Sequence, residues 1–379
     1  MLSLGFTAFG GPAAHIAMLE DEVVTRRRWM STQHFLDLIG ATSLIPGPNS
    51  TEMVLHIGYE RRGFPGLVVA GLCFILPSML LTLLCAIFYQ RYGSVPQAQP
   101  ALMGLQATVM VILILAIRKL GRKAIKGWKT AALGSLAVAA LLAGVDELTT
   151  LAVGAALGTV LLRLDHRGVT ASGLGALGLG LSMPASASGV TAGGVAAGGV
   201  AAAAAAPTLA SLGWLFLKVG AVLYGSGYVL VAFLEGDFVS ARGWLTDQQL
   251  LDAIAFGQLT PGPVLTTATF IGYLLLGIPG AIVATAAIFL PSFLFVTLLN
   301  PWVPKLRKSP TSAAFLDAVN AVAMGLMVAV WIHLAWINLR DPVSLGIAAI
   351  IALLALWKSP SSMWLVGLGA LLGALSGLL

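Results

Sequence analysis

Charge is what this chain lacks. Of its 379 residues only 9% are Asp, Glu, Lys or Arg, against roughly 25% in a soluble domain. With 58% hydrophobic residues and a mean hydropathy of +0.94, a water-soluble globule is excluded. Cysteine is also scarce. Cys73 and Cys85 lie twelve apart in one apolar stretch with no C-x-x-C, which excludes a disulfide scaffold and leaves buried filler as their reading. A Walker-type G-x-x-x-x-G-K-[ST] is missing, so this chain does not take energy from ATP directly. H-E-x-x-H, paired Asp-rich metal motifs and G-x-S-x-G are missing from the apolar spans, which argues against an intramembrane enzyme; no cofactor and no metal site are expected. The net charge of +6 comes mostly from short basic loops, so it reports membrane orientation and implies no nucleic-acid partner. The first apolar stretch has no basic segment before it, and no cleavable signal peptide is expected.

What is present is a series of apolar runs of spanning length, such as Pro65–Tyr89, Ala101–Ile117 and Ala313–Ile337. The expected fold class is an all-α polytopic membrane protein. Within it one interruption stands out, Pro46-Gly47-Pro48-Asn49-Ser50-Thr51-Glu52, and it recurs 215 positions later as Pro261-Gly262-Pro263. Two prolines around a glycine cannot continue a helix, because each proline removes a donor and clashes with the preceding turn. Each copy reads as one helix ending and another beginning. At membrane depth such irregular backbone is tolerated only in a protein interior or beside a watery cavity.

The same offset aligns Gly5 with Gly220, Gly10 with Gly225, Glu20 with Glu235, Arg27 with Arg242, Trp29 with Trp244 and Asp37 with Asp252. After a one-residue slip, Gly58 matches Gly272, Pro65-Gly66 matches Pro279-Gly280, and Pro77-Ser78 matches Pro291-Ser292. The chain is a tandem duplication. We divide it into a first repeat (1–165), a Gly/Ala-rich linker (166–207) and a second repeat (208–379). Spans are expected at about 2–19 (interrupted by Gly10-Gly11-Pro12), 65–90, 100–120, 129–144 and 146–163, then 208–232, 279–299, 310–337, 342–357 and 360–379. The arms flanking each Pro-Gly-Pro are too short to span alone and read as a re-entrant hairpin, with each repeat having about five spans besides. Basic residues cluster at Arg26–Arg28, Arg61-Arg62 and Arg118–Lys129 in the first repeat but around Lys305–Lys308 in the second. Placing all of them in the cytoplasm requires the two repeats to have inverted topology.

Inverted repeats with discontinuous helices are the architecture of secondary transporters. A helix starting at a break presents unpaired N–H groups and a positive dipole end, and so favours anions. The candidate ligands for a tetrahedral oxyanion are Gly10, Gly11, Pro46, Gly47, Pro48, Asn49, Ser50 and Thr51 in the first repeat. Gly225, Ser226, Gly227, Pro261, Gly262, Pro263, Thr266 and Thr267 are their counterparts in the second, joined by Lys218, a lone cation in an apolar span. Glu52 and His56, i and i+4 on one helix face, are candidates for proton coupling. Glu20 with Arg27, and Glu235 with Arg242, read as structural or gating ion pairs. Asp37 and Asp252 read as braces of the hairpins, while His15 is open between a structural and a functional role.

Phe9-Gly10-Gly11-Pro12, Glu20 with Arg27-x-Trp29, Phe35-Leu36-Asp37, the Pro46–Glu52 segment and Phe74-Ile75-Leu76-Pro77-Ser78 together resemble the chromate transporter family in its two-domain form. The resemblance covers both repeats and implies export of chromate from the cytoplasm across the inner membrane, conferring chromate resistance, with sulfate as the look-alike anion. It implies as partners the oxyanion and the lipid bilayer, with a homodimer left open. A carrier or channel for sulfate or another small anion is the alternative. The second repeat departs from the pattern, because Gly225-Ser226-Gly227 replaces Gly-Gly-Pro and no Asn-Ser-Thr-Glu follows its Pro-Gly-Pro.

Overall fold

In the computed structural model, residues 1–8, 11–42, 45–166, 206–224, 227–299, 309–358 and 360–378 are described. Gly10, Gly225, Ser226 and nearly all of the expected linker lie outside them. The described residues form helices and turns with no strand. In the first repeat, α1 (Leu2–Thr7), α2 (Gly11–Glu20) and a π-helical turn, π1 (Asp21–Arg26), lead into α3 (Thr32–Thr42). After the break come α4 (Asn49–Tyr92), α5 (Gln99–Ala124), α6 (Trp128–Leu142) and α7 (Glu147–His166). The second repeat runs α8 (Leu209–Val222), α9 (Leu230–Leu234), π2 (Glu235–Ser240) and α10 (Asp247–Leu259). A 3-10 turn (Val264–Thr266) then opens α11 (Thr267–Leu299), followed by α12 (Pro310–Asn338), α13 (Pro342–Lys358) and α14 (Ser362–Ser376). Among the described residues, four helices are long and apolar enough to cross a membrane: those covering 49–92, 99–124, 264–298 and 310–338. The chain is a multi-pass membrane protein.

The expected span at 208–232 is shorter than the sequence suggested. α8 ends at Val222, and Leu223 is extended with ψ 103°. Its carbonyl is committed elsewhere, as described below, and glycines follow it, so the helix has no reason to continue.

α4 is two arms rather than one rod. Arg62 (φ −149°) and Gly63 (φ 61°) leave the helical region, and α11 does the same at Leu276 (φ −138°) and Gly277 (φ 63°), 214 residues on. The left-handed φ is why glycine stands at both turns. The chain doubles back at each. A Cβ added to Gly58 would strike the carbonyl of Gly66, and one on Gly272 that of Gly280. A straight helix would hold residues eight apart at about 12 Å. The outer faces carry matching apolar stripes, Leu72, Leu76, Leu80, Leu84 and Phe88 on α4 and Ile278, Ile282, Leu290, Leu294 and Leu298 on α11, each 44% exposed or more. Contiguous exposure of this size suits lipid rather than water.

Elsewhere small residues let helices touch through their backbones. Gly104 of α5 packs on Gly369 of α14, and Gly325 of α12 packs on Gly134 of α6. Gly154 and Gly158 of α7 accept Val322 and Ala318 of α12. Without a hydrophobic difference between side chain and lipid, such close van der Waals contact is the main attraction available. These contacts join the repeats: α5 lies on the second repeat's last helix, and α12 on the first repeat's last helix.

Candidate functional site

The two breaks are tied to each other's repeats by backbone. Gly47 N–H donates to the carbonyl of Leu223 at 2.6 Å, and Gly262 N–H donates to that of Ala8 at 2.9 Å. Ala8 and Leu223 are the positions where α1 and α8 stop, 215 apart. A helix end leaves its last carbonyls without partners, and here the other repeat's break supplies one. Gly47 (φ 138°) and Gly262 (φ 92°) hold conformations that side chains resist. Their surroundings are also crossed. A Cβ on Gly262 would meet Ser78 from α4, and a Cβ on Gly47 would run into Ser292 from α11 and the carboxylate of Glu52.

Chemically the breaks differ. At the second, Thr266 Oγ1 lies 3.0 Å from Ser78 Oγ, accepts from Thr82 at 3.3 Å and donates to the carbonyl of Pro263 at 2.9 Å. Thr82 also lies 3.1 Å from Thr260, and Thr267 donates to the carbonyl of Val264 at 2.8 Å. The hydroxyls there are consumed by the protein itself. The first residue after this break is Val264, which with Leu265 offers no side-chain donor at the start of the new helix.

At the first break, α4 begins at Asn49 with Pro48 as N-cap and no side-chain cap. The N–H groups of Thr51 and Glu52 turn back to the Pro48 carbonyl at 2.8 and 3.2 Å. Asn49 Oδ1, Thr51 Oγ1, both Glu52 carboxylate oxygens and Ser292 Oγ are buried and have no hydrogen-bond partner. Thr51, Glu52 and Ser292 are wholly inaccessible. Each such orphan costs about 1–3 kcal/mol, more for a charged group, so a cluster of them calls for an explanation. The Glu52 side chain folds against Gly47, in front of its own helix start. His56 is buried one turn further along.

His15 joins the breaks. Its Nε2 contacts the Ala8 carbonyl at 2.9 Å, the same carbonyl that Gly262 uses, and its Nδ1 lies 3.3 Å from Ser50 Oγ. A carbonyl only accepts, so Nε2 carries the proton and Nδ1 accepts from Ser50. The ring stands edge-on to Phe74 at 5.7 Å.

The other expected site residues lie apart from this cluster or pair differently. Lys218 is bonded to Asp237 at 2.7 Å, not to either break. Arg27 pairs with Glu22 at 2.6 Å rather than with Glu20, and Arg242 reaches Asp237 at 3.4 Å rather than Glu235. The cause is the π-helical turn in each repeat. Its wider winding brings residues five apart onto one face, and both Glu22–Arg27 and Asp237–Arg242 have that spacing. Arg27 and Arg242 also lie over Trp29 and Trp244, at 5.1 and 5.6 Å. Hydrogen bonding to Arg27 holds the Glu22 carboxyl below the usual glutamate range. Asp252 accepts from Tyr89 at 2.8 Å and from Gln106 at 2.9 Å, which links α10 to α4 and α5. Gly11 opens α2, and Gly227 packs near Val264 and Leu265. Sequence reasoning undervalued Ser78 and Ser292. Their signal was the duplicated Leu-Pro-Ser, which aligned without a role.

The family model described as "Chromate transporter" matches residues 1–159 and 210–374. The chain is 32% identical over 374 residues to a "Chromate transport protein" of Cupriavidus metallidurans, covering 98% of this chain and 90% of that one. It is 33% identical over 388 residues to a "Chromate transport protein" of Pseudomonas aeruginosa, covering 97% and 89%, and 31% identical over 365 residues to a "Probable chromate transport protein" of Synechococcus elongatus, covering 94% and 88%. No solved structure matches. Duplicated, interlocked and matched along both repeats, the chain belongs to the chromate transporter family.

Proposed function

We propose that this protein is a secondary transporter that exports chromate from the cytoplasm across the inner membrane, with the anion held at the first break. The observation that carries this reading is the pair of orphaned buried hydroxyls, Thr51 Oγ1 and Ser292 Oγ, at an uncapped helix start. A tetrahedral oxyanion supplies the acceptors that the free N–H and hydroxyl groups lack, and the helix dipole adds a favourable field. The family relationship names chromate as the substrate of the relatives. Sulfate, of the same shape and charge, is the competitor to expect.

Glu52 gives the site a natural coupling device. Its carboxylate occupies the space in front of the helix start, where a substrate anion is favoured. In an apolar interior an ionised Glu52 and a dianion exclude each other. The anion therefore binds when Glu52 takes a proton and swings aside, and release returns the carboxylate to Gly47. His56, one turn away, and His15, touching Ser50, are the groups to pass that proton. The second break, its hydroxyls consumed, is the hinge. The two repeats then exchange access by rocking about their crossed backbone bonds, as an inverted pair of re-entrant hairpins does.

The test is chromate uptake into proteoliposomes under an imposed pH gradient, with sulfate as competitor. Wild type is expected to show pH-driven uptake that sulfate suppresses. Glu52→Gln is expected to bind chromate but lose the pH dependence, while Lys218→Ala retains transport. Chromate flux that ignores the pH gradient would sink the coupling; an unaltered flux in Thr51→Val with Ser292→Ala would sink the site.

A further inference from the structure

A second region gathers chemically capable side chains from distant parts of the chain. A cavity of about 520 Å³ opens between the start of α7, π2 and α12, and its walls carry Glu147, Lys218, Glu235, Asp237 and His333. The π-helical turn assigns both nearby cations to one acid, since Lys218 and Arg242 each reach Asp237. Glu235 is left with Ser240, whose hydroxyl donates to its Oε1 at 2.5 Å, and no lysine or arginine pairs with it among the described ion pairs. It is 6% exposed.

Facing it are His333 from α12 and Asp247 from the first turn of α10. His333 Nε2 lies 3.8 Å from Glu235 Oε1 and 3.6 Å from Asp247 Oδ1. Asp247 Oδ1 is itself buried and has no hydrogen-bond partner. One ligand atom from each of the three lies within 4.8 Å of the others. The two distances from His333 are too long for hydrogen bonds and only slightly longer than the spacing around a shared ion, about 3.3 Å between ligands 2.0–2.1 Å from a tetrahedral metal. Glu235 and His333 border the cavity, where side-chain rotation can draw the three ligand atoms, already within 4.8 Å of one another, to that spacing.

We propose that Glu235, Asp247 and His333 form a binding site for a Zn²⁺-class divalent cation, which ties π2 and α10 to α12. One imidazole with two carboxylates suits zinc and its neighbours, whereas calcium and magnesium prefer all-oxygen shells. Water from the cavity completes the coordination, and the Glu147 carboxylate on the same wall adds to the negative field. The sequence hid this site because its ligands are spaced 12 and 86 residues apart and fit no linear metal motif. The first repeat has no equivalent. The position of Asp247 is Thr32 there, and that of His333 falls in the basic Arg118-Lys119 stretch.

The experiment is calorimetric titration of the full, tag-free chain in lipid nanodiscs with Zn²⁺, using Ca²⁺ and Mg²⁺ as comparison ions. Visible absorption of the Co²⁺-loaded protein is a second readout. The expected result is one Zn²⁺ site per chain, weakened at least tenfold in each of Glu235→Gln, Asp247→Asn and His333→Ala, and kept in His34→Ala. His333→Cys is expected to restore binding and to add a sulfur-to-cobalt charge-transfer band, which separates lost ligation from lost folding. Wild type that takes up no Zn²⁺, affinity unchanged in His333→Ala, or an equal response to Ca²⁺ overturns the proposal.

Discussion

The two breaks share a backbone and differ in what their side chains leave over. Each has a glycine with positive φ, a crossed bond to the other repeat and a serine delivered by the other repeat's long helix. At the second, Ser78, Thr82, Thr260 and Thr266 bond to one another. At the first, Asn49, Thr51, Glu52 and Ser292 have unanswered polar atoms. The two breaks are similar sockets in their backbone. One is a closed polar latch and the other leaves polar atoms unanswered, which on the proposed reading are the ones that take the ligand.

The strongest way to break this comparison is to substitute the glycines. Gly47→Ala and Gly262→Ala each force a side chain into a left-handed or strained conformation, costing about 1–3 kcal/mol before any clash. The Gly47 variant meets the movable tip of Glu52, so it is expected to fold and lose at least tenfold in chromate uptake. The Gly262 variant meets the Cβ of Ser78 and is expected to show the larger drop in thermal stability. Equal effects on both properties would erase the distinction.

A finer cut replaces a hydroxyl with a methyl. Thr266→Val removes three buried hydrogen bonds and is expected to destabilise by about 1–3 kcal/mol, with little change in the KM for chromate. Thr51→Val removes a hydroxyl that bonds to nothing, so stability stays within about 0.5 kcal/mol or rises, while KM increases about tenfold. Melting curves and uptake kinetics on the same preparations read both.

The ion pairs give the smallest effects. Asp237→Asn leaves Lys218 and Arg242 without their shared acid in a half-buried setting, and is expected to cost about 1–3 kcal/mol. Its counterpart Glu22 is paired to an Arg27 that is half exposed. The Glu22 carboxyl is held below its ordinary value of 4.5 by Arg27, so its contribution is present above that pH and fades as pH falls through the lowered value. Melting temperatures of wild type and Glu22→Gln are expected to differ slightly at pH 7 and to converge in acid.

Much of the fold was legible because proline, glycine and low charge act locally. Pro46-Gly47-Pro48 breaks a helix in any context, and apolar runs of spanning length can only be buried or face lipid. The Glu20–Arg27 and Glu235–Arg242 pairings were misjudged because a π-helical turn shifts the partner by two residues, and nothing in the local composition announces that winding. Lys218 was read toward the anion on its isolation in an apolar run; Asp237, its partner, is nineteen residues away on another element.

By itself, then, the sequence determined the membrane class, the duplication, the positions of the two breaks and the polar residues after the first. Those follow from backbone chemistry and solvation, which act on each segment independently. Only the tertiary structure decided which polar groups are consumed and which remain. That depends on Ser78, Thr82, Ser292, Ala8 and Leu223 arriving from the opposite repeat, and a hydrogen bond is satisfied by proximity in space, which position along the chain does not record.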